Sequence, residues 1–352
     1  MKKIFVLTVL CMMALLGFAN NYKDDGKVHY KCEAERTVEK TFDVSANPTL
    51  EMEGHYSDFI ITAWDEPQID FSVKISVKGD DPKKVEAKFK SIDIEFEEVG
   101  NTIMAKTVFG DYKYKSFTGV MTIKYYVKVP RDVAMDLETK YGDITIDEVR
   151  EKLKAEVKYG DFKADNILID DAMKNVVEVK YGNINIDNVG KIVLWLEYGD
   201  AKINTCNYID GTLKYSKIFI SDVNDAMLEN KYSTSRIEKA FKARFVNTAY
   251  SDLKVSNCTN RLYANMKYTD LSATMTSDSP SVDIDGQYSD AVLYINESAS
   301  FNYDLESSYA DITFRGFFDK EKIGGHGTYG NGEPGSLDIS TKYGDVKIYK
   351  NK

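Results

Sequence analysis

Histidine is nearly absent from this 352-residue chain: His29, His55 and His326 are its three histidines, and they fall in unrelated regions. Cysteine is also scarce, at four residues, and proline numbers six. Three scattered histidines and few thiols leave no metal-spaced His/Cys cluster, no nucleophile elbow and no zinc motif. A basic excess is missing as well. The formal net charge is −10 and the sequence pI is near 5.1. Such a chain lacks the cationic face that neutralises phosphates, which argues against nucleic acid and against an anionic membrane surface.

Only one long apolar run exists, at the very start. Lys2 and Lys3 form a positive end, Ile4 to Leu16 an apolar stretch, and Gly17 with Ala19 a small-x-small cleavage site. Residues 1–19 therefore read as a secretory signal, since the run falls short of the ~20 residues that a membrane span needs. Leu10 before Cys11 disfavours a lipid-modified cysteine. The expectation is an exported protein, periplasmic, cell-surface or secreted, with no transmembrane segment once the signal is cleaved.

What the chain has in abundance is tyrosine, 24 in all, and a tyrosine followed by a small residue and usually an acid recurs at a nearly fixed step. From Tyr141 the series runs through Tyr159, Tyr181, Tyr198, Tyr215, Tyr232, Tyr250, Tyr268, Tyr288 and Tyr309, with Tyr56 before it and Tyr343 after. A period near 20 residues is the mark of stacked coils. Aligned on the tyrosine, the positions four before it are apolar (Leu137, Val177, Leu194, Leu228), as are those three and five after it (Ile144 and Ile146, Ile218 and Ile220). Period-two spacing places the residues at minus four and minus two and the tyrosine on one inward face. The step from tyrosine to plus three is odd, so a bend is expected at the Gly-Asp or Ser-Asp pair between them.

The expected fold is all-β: a single-stranded parallel β-helix, or β-solenoid, of about ten coils over residues 131–350, with right-handed crossovers. Residues 20–37 read as a mobile N-terminal segment and 38–130 as a β-rich N-terminal cap. Within the cap, Asp80-Asp81-Pro82 opens one short helix, and Tyr56-Ser57-Asp58 resembles a detached first coil. A Gly-rich stretch at 319–336 reads as a flexible excursion before the final coil.

Cys206 and Cys258 occupy the same repeat position three coils apart, roughly 14 Å at ~4.8 Å per coil, too far for a disulfide and suited to buried inert thiols. Asn230 and Ser235 are polar where other coils are apolar, and Gly211 and Gly286 leave inward gaps. Asp252, Asp270, Asp290 and Asp311 follow one another in successive coils with few lysines beside them. Turn capping is one reading of this stripe, and weak Ca²⁺ binding the other. No catalytic, cofactor-binding or metal residues are assigned, and no cofactor is expected. The arginines form no column, which disfavours a polysaccharide-acting β-helix enzyme; that enzyme stays as the alternative to a noncatalytic scaffold. Outward aromatics such as Tyr208, Phe219, Tyr263 and Tyr294 are candidate contacts for a glycan, protein or matrix ligand.

The early Y-S-D-F-I-I-T-A-W-D run at 56–65, V-P-R at 129–131, the serial K-Y-G-D coils, and G-N-G-E-P at 330–334 followed by I-S-T-K-Y-G-D-V-K-I at 339–348 resemble the bacterial putative-adhesin family of secreted β-solenoids, a domain-of-unknown-function family. The resemblance spans roughly residues 40–350. It implies an envelope or surface binding scaffold and carries over no functional residue.

Overall fold

The computed structural model describes residues 30–169, 171, 175–318 and 322–351; the signal sequence expected at 1–19 lies outside them. The chain divides into two compact units, the first ending at Lys163 and the second beginning at Ala164.

The first unit has two β walls facing one core. In one wall, Cys32–Asp43 pairs antiparallel with Gln68–Gly79, which pairs antiparallel with Gly119–Pro130; the wall continues in parallel through Ser57–Trp64 to Ile144–Val149. In the other, Ile92–Val99 pairs antiparallel with Thr102–Phe109, followed in parallel by Thr49–His55, Ala134–Lys140 and Leu153–Lys158. Alternation explains the walls: Leu50, Met52, Phe59, Ile61, Phe71 and Val73 are buried while their sequence neighbours are less so. The expected boundary at 37 falls inside the strand Cys32–Asp43. The Tyr56 coil is not detached, since its strands pair directly with those flanking Tyr141. The expected helix is Pro82–Lys90. Asp81 caps it by accepting the Lys83 and Lys84 amides, and Val85 is its buried anchor.

In the second unit, long strands such as Ile184–Glu197, Asp200–Lys214, Lys217–Lys231, Thr234–Ala249 and Asp252–Lys267 pair in parallel, residue for equivalent residue of the repeat. One coil can be read from burial alone. Ala201, Ile203, Cys206, Ile209, Gly211, Leu213 and Ser216 face inward. The steps of three, at 203 to 206, 206 to 209 and 213 to 216, mark where the chain turns. The Tyr232-to-Tyr250 interval has one residue more than its predecessor, and Asn247, at φ 48°, takes it up where the register shifts. Leu228 leans over Gly211, which fills the gap expected there.

The stack does not end where the sequence ends. Gly335–Lys342 pairs with Ser281–Gln287 on one side and with Phe301–Ser308 on the other, so the last coil in sequence is inserted beneath the Tyr309 coil. The glycine-rich stretch is built structure where it is described. Gly325–Tyr329 pairs antiparallel with Phe301–Leu305 and covers its outer edge. Tyr329 closes on Phe301 at 5.3 Å, Phe317 at 5.1 Å and Phe318 at 5.5 Å.

Candidate functional site

Every repeat tyrosine adopts the left-handed backbone region, with φ between 51° and 61°. This conformation overturns the expectation of an inward tyrosine. Extended alternation from minus four and minus two would turn the ring into the core, but a left-handed residue swings its side chain out and the next residue in. The inward place at the corner therefore belongs to the small residue that follows, such as Gly142, Ser216, Ser233, Thr269 or Ser289. Smallness is required where backbones meet: a Cβ on Gly199 would lie 1.8 Å from the Gly182 carbonyl oxygen.

Outside, the rings stack. In the first unit Tyr56, Tyr141 and Tyr159 stand at 5.0 Å steps. In the second, centroids from Tyr181 through Tyr288 are 4.8–5.0 Å apart with planes within 12° of parallel. Tyr343 follows Tyr288 at 4.8 Å, and Tyr309 tops Tyr343 at 5.0 Å. The spacing equals that of neighbouring strands and falls within the range of offset stacking. Most rings are 41–52% exposed, while Tyr309, with one face open, reaches 82%.

Two hydrogen-bonded ladders line the same corner. Ser216, Ser233, Ser251, Thr269 and Ser289 each donate a hydroxyl to the carbonyl two residues back, at 2.7–3.0 Å. Each hydroxyl also accepts the amide of the equivalent residue one coil earlier, at 3.1–3.3 Å. Both capacities are met, so burial of these hydroxyls leaves nothing unpaired. In the first unit the Ser57 hydroxyl joins Thr107 at 2.9 Å, and Thr107 joins the buried Tyr125 hydroxyl at 2.6 Å. The corner acids work similarly. Asp58 accepts the Asp143 amide and Asp143 the Asp161 amide; Asn183 accepts the Asp200 amide.

The acidic stripe changes in this light. Asp290 and Asp311 are not successive, because Asp345 lies between them: Asp290 accepts the Asp345 amide at 2.8 Å and Asp345 accepts the Asp311 amide at 3.0 Å. The carboxylates serve the corner as acceptors. Asp252 and Asp270 hold their place through their own amides, which donate to Ser233 and Ser251 carbonyls. Among the described residues, no group of three or more His, Cys, Asp or Glu side chains is placed to hold a metal ion. The lysines before the tyrosines also have partners other than these acids. Lys158, Lys180 and Lys231 meet Glu156, Glu178 and Glu229, two residues back on the same outward face, at 2.5–3.1 Å. Lys140, Lys267 and Lys342 lie over their neighbouring tyrosine rings at 5.1–5.6 Å.

Cys206 and Cys258 are both buried and free, and burial pushes their thiols up to about 12 and about 11. They are inert at neutral pH, as their repeat position implies. Arg131 is held by Asp65 at 2.6 Å and Glu148 at 2.9 Å, and Arg244 by Asp225 at 2.8 Å. Of the four outward aromatics named from sequence, Tyr294 is exposed, whereas Tyr208, Phe219 and Tyr263 are half-buried. Among the described residues, four more exposed rings outside the tyrosine series, Phe109, Tyr126, Trp195 and Phe241, escaped that reading. Their outward parity was the available signal.

A second feature lies away from the tyrosine corner. An open groove of about 810 Å³ runs across coils of the second unit, from Val189 to Thr259. Its floor is the buried column Val189, Cys206, Val223 and Ala240, and polar side chains rise on either side.

Parallel coils with a tyrosine-small-acid corner define a β-solenoid, and within it residues 231–349 match the Toastrack family model, DUF4097. This is a domain-of-unknown-function family. Among solved structures, the chain is similar to a putative adhesin from Parabacteroides merdae, with 11% identity, 89% of this chain and 95% of that chain covered, and a TM-score of 0.29. It is also similar to a putative lipid binding protein from Parabacteroides distasonis (10% identity, 90% and 97% covered, TM-score 0.33). A putative cell adhesion protein from Clostridium sporogenes gives 11% identity, coverage of 90% and 100%, and a TM-score of 0.20. No curated protein matches the chain. Among the described residues, no helix is long and apolar enough to cross a membrane.

Proposed function

We propose that this protein is a noncatalytic, exported cell-envelope or surface protein, a binding scaffold of the adhesin type that presents long β faces to a glycan, protein or matrix partner. Export rests on the signal features of residues 1–19. The observation that carries the binding reading is the row of half-exposed tyrosine edges in the second unit. A continuous aromatic strip of this kind is more than the scattered exposure of an ordinary surface. Tyrosine contributes contact area and a hydroxyl at low entropic cost, and here the rings are already fixed by their neighbours.

The test uses the mature chain on immobilised glycans and matrix proteins, with product analysis of every hit. Retention that weakens when Tyr215, Tyr232 and Tyr250 are replaced together by asparagine, without any change in the captured partner, supports the scaffold. Turnover of a bound polysaccharide overturns it in favour of the enzyme.

A further inference from the structure

We infer that the groove between Val189 and Thr259 is a binding site for a neutral polysaccharide chain lying along the stack. It is separate from the tyrosine corner and differs from it in chemistry. The tyrosine rings cover one another's faces, so they offer edges and hydroxyls. A sugar ring packs its C–H face on an uncovered aromatic face, and Phe241 offers one. It is 44% exposed and, among the described residues, makes no ring–ring contact; the Lys242 ammonium lies over one face, 5.8 Å from the centroid, which leaves the opposite face for a sugar.

The flanks supply the hydrogen bonds that sugar hydroxyls need. On one side, Thr205, Asp222, Lys239 and Asn257 stand in register on successive coils. On the other, Asn207, Asn224 and Thr259 stand at the position that Phe241 holds in its own coil. Several of these side chains are fixed by their neighbours. Asn224 donates to Asn207 at 3.2 Å, Thr205 to Asn188 at 2.6 Å, and Asn257 to the Glu238 carbonyl at 3.3 Å. A primary amide has two donors and two acceptor lone pairs, so the Asn224 and Asn257 side chains keep capacity for a ligand beyond these bonds. Prior fixing lowers the ordering cost of binding.

Charge selects against an acidic chain and against a basic one. Asp222 and Lys239 are opposite charges at adjacent coils and offset each other, and the remaining lining residues are uncharged. A further charge placed against the lining is the Lys242 ammonium over Phe241. Shape favours a chain over a compact ligand, since the groove is open and extends across several coils. Each coil advances by ~4.8 Å, close to the length of one extended hexopyranose unit, so successive sugars meet equivalent amide and hydroxyl positions.

Isothermal titration of the mature full chain tests this with cellohexaose and mannohexaose as neutral probes and a galacturonate hexamer as the acidic one. The expected result is binding of a neutral hexamer that weakens about 10-fold, near 1.4 kcal/mol, in Phe241→Ala and in Asn224→Ala. Phe241→Leu keeps an apolar side chain and gives the same loss if the ring face is what matters. Trp195→Ala, an exposed ring outside the groove, leaves affinity unchanged. Failure of both neutral hexamers to bind, tighter binding of the acidic hexamer, or full affinity in Phe241→Ala and Phe241→Leu each overturns the assignment. Those outcomes leave the scaffold reading standing, because the tyrosine triple variant and its matrix partners test that separately.

Discussion

A tyrosine at φ 51° sits where L-residues rarely go, and Tyr215 holds that conformation between Tyr198 and Tyr232. The left-handed region costs a Cβ-bearing residue about 1–2 kcal/mol. Two stacked neighbours return about 0.5–1.5 kcal/mol each. These opposed terms set an unusual order of substitutions. Tyr215→Gly loses both stacks and also loses the strain, so its unfolding midpoint stays close to the wild type. Tyr215→Val loses the stacks and worsens the strain, because a β-branched residue tolerates positive φ least. Valine is therefore expected to be the more damaging change, despite retaining more apolar surface. Urea unfolding that ranks glycine below valine would sink this account of the corner. The sequence alone could not reveal it. An apolar residue two positions after another inward one fits a buried strand site equally well, and only the backbone angle tells the two apart.

At the same scale, the buried thiols give a pH dependence with a definite sign. Burial raises Cys206 from 9.0 to about 12 and Cys258 from 9.0 to about 11. The folded chain keeps these protons at a pH where the unfolded chain has released them. The stabilisation is fully present below pH 9 and is lost as pH rises through the folded values. Burial likewise raises Tyr125, which adds to the same alkaline limb. Cys206 stands between Val189 and Val223 in register, so valine suits the site. A Cys206→Val/Cys258→Val variant is expected to lose less stability between pH 9 and 11 than the wild type, with Tyr125 among the groups that carry the remaining slope. Denaturation midpoints across that range measure it, and an equally steep limb in the variant rejects the thiol contribution.

At the scale of one coil, most inward positions could be read from sequence because period-two alternation and the 17-residue step agree. The Tyr232 coil is the exception. Asn230 and Ser235 are fully buried, and they bond to each other within the coil: the Ser235 hydroxyl donates to the Asn230 side-chain oxygen at 2.6 Å. The Asn230 amide nitrogen and the Thr248 hydroxyl are buried without a partner. An unmet buried polar group costs about 1–3 kcal/mol. Asn230 neighbours Leu213 in register, and Ser235 lies between Ile218 and Leu253. Asn230→Leu with Ser235→Ile continues those apolar columns and is expected to stabilise the chain by a similar amount, read as a higher melting temperature. Either single change leaves one polar partner stranded and is expected to destabilise. Additive single effects would show that the pair is not coupled. The polarity was visible in sequence; its pairing was not, because five residues along the chain spans a turn whose geometry alternation does not give.

For the chain taken whole, the repeat identifies which residues are equivalent but not which coils touch. The tyrosine series suggested that Tyr343 heads a final coil, yet its strands lie between those of Tyr288 and Tyr309. Only pairing at strand edges carries that information, and a 34-residue interval between Tyr309 and Tyr343 permits either order. The inversion leaves Phe301–Ser308 as an outer strand, and an uncovered outer strand is a template for association. Gly325–Tyr329 covers it from Phe301 to Leu305. That strand is rich in glycine and has little side chain to bury, so Tyr329 is its anchor on Phe301, Phe317 and Phe318. Gly330, at φ 82°, turns the chain away tightly enough that a Cβ there would meet the Ser300 hydroxyl oxygen at 2.3 Å. Tyr329→Ser is therefore expected to release the cover while leaving the coils beneath it folded. The variant should keep the far-ultraviolet strand signal of the wild type and form larger species with rising concentration on size-exclusion chromatography. If instead it elutes like the wild type at every concentration, the edge is protected by something other than this strand. If the strand signal collapses as well, the aromatic cluster supports the coils themselves and not only their cover.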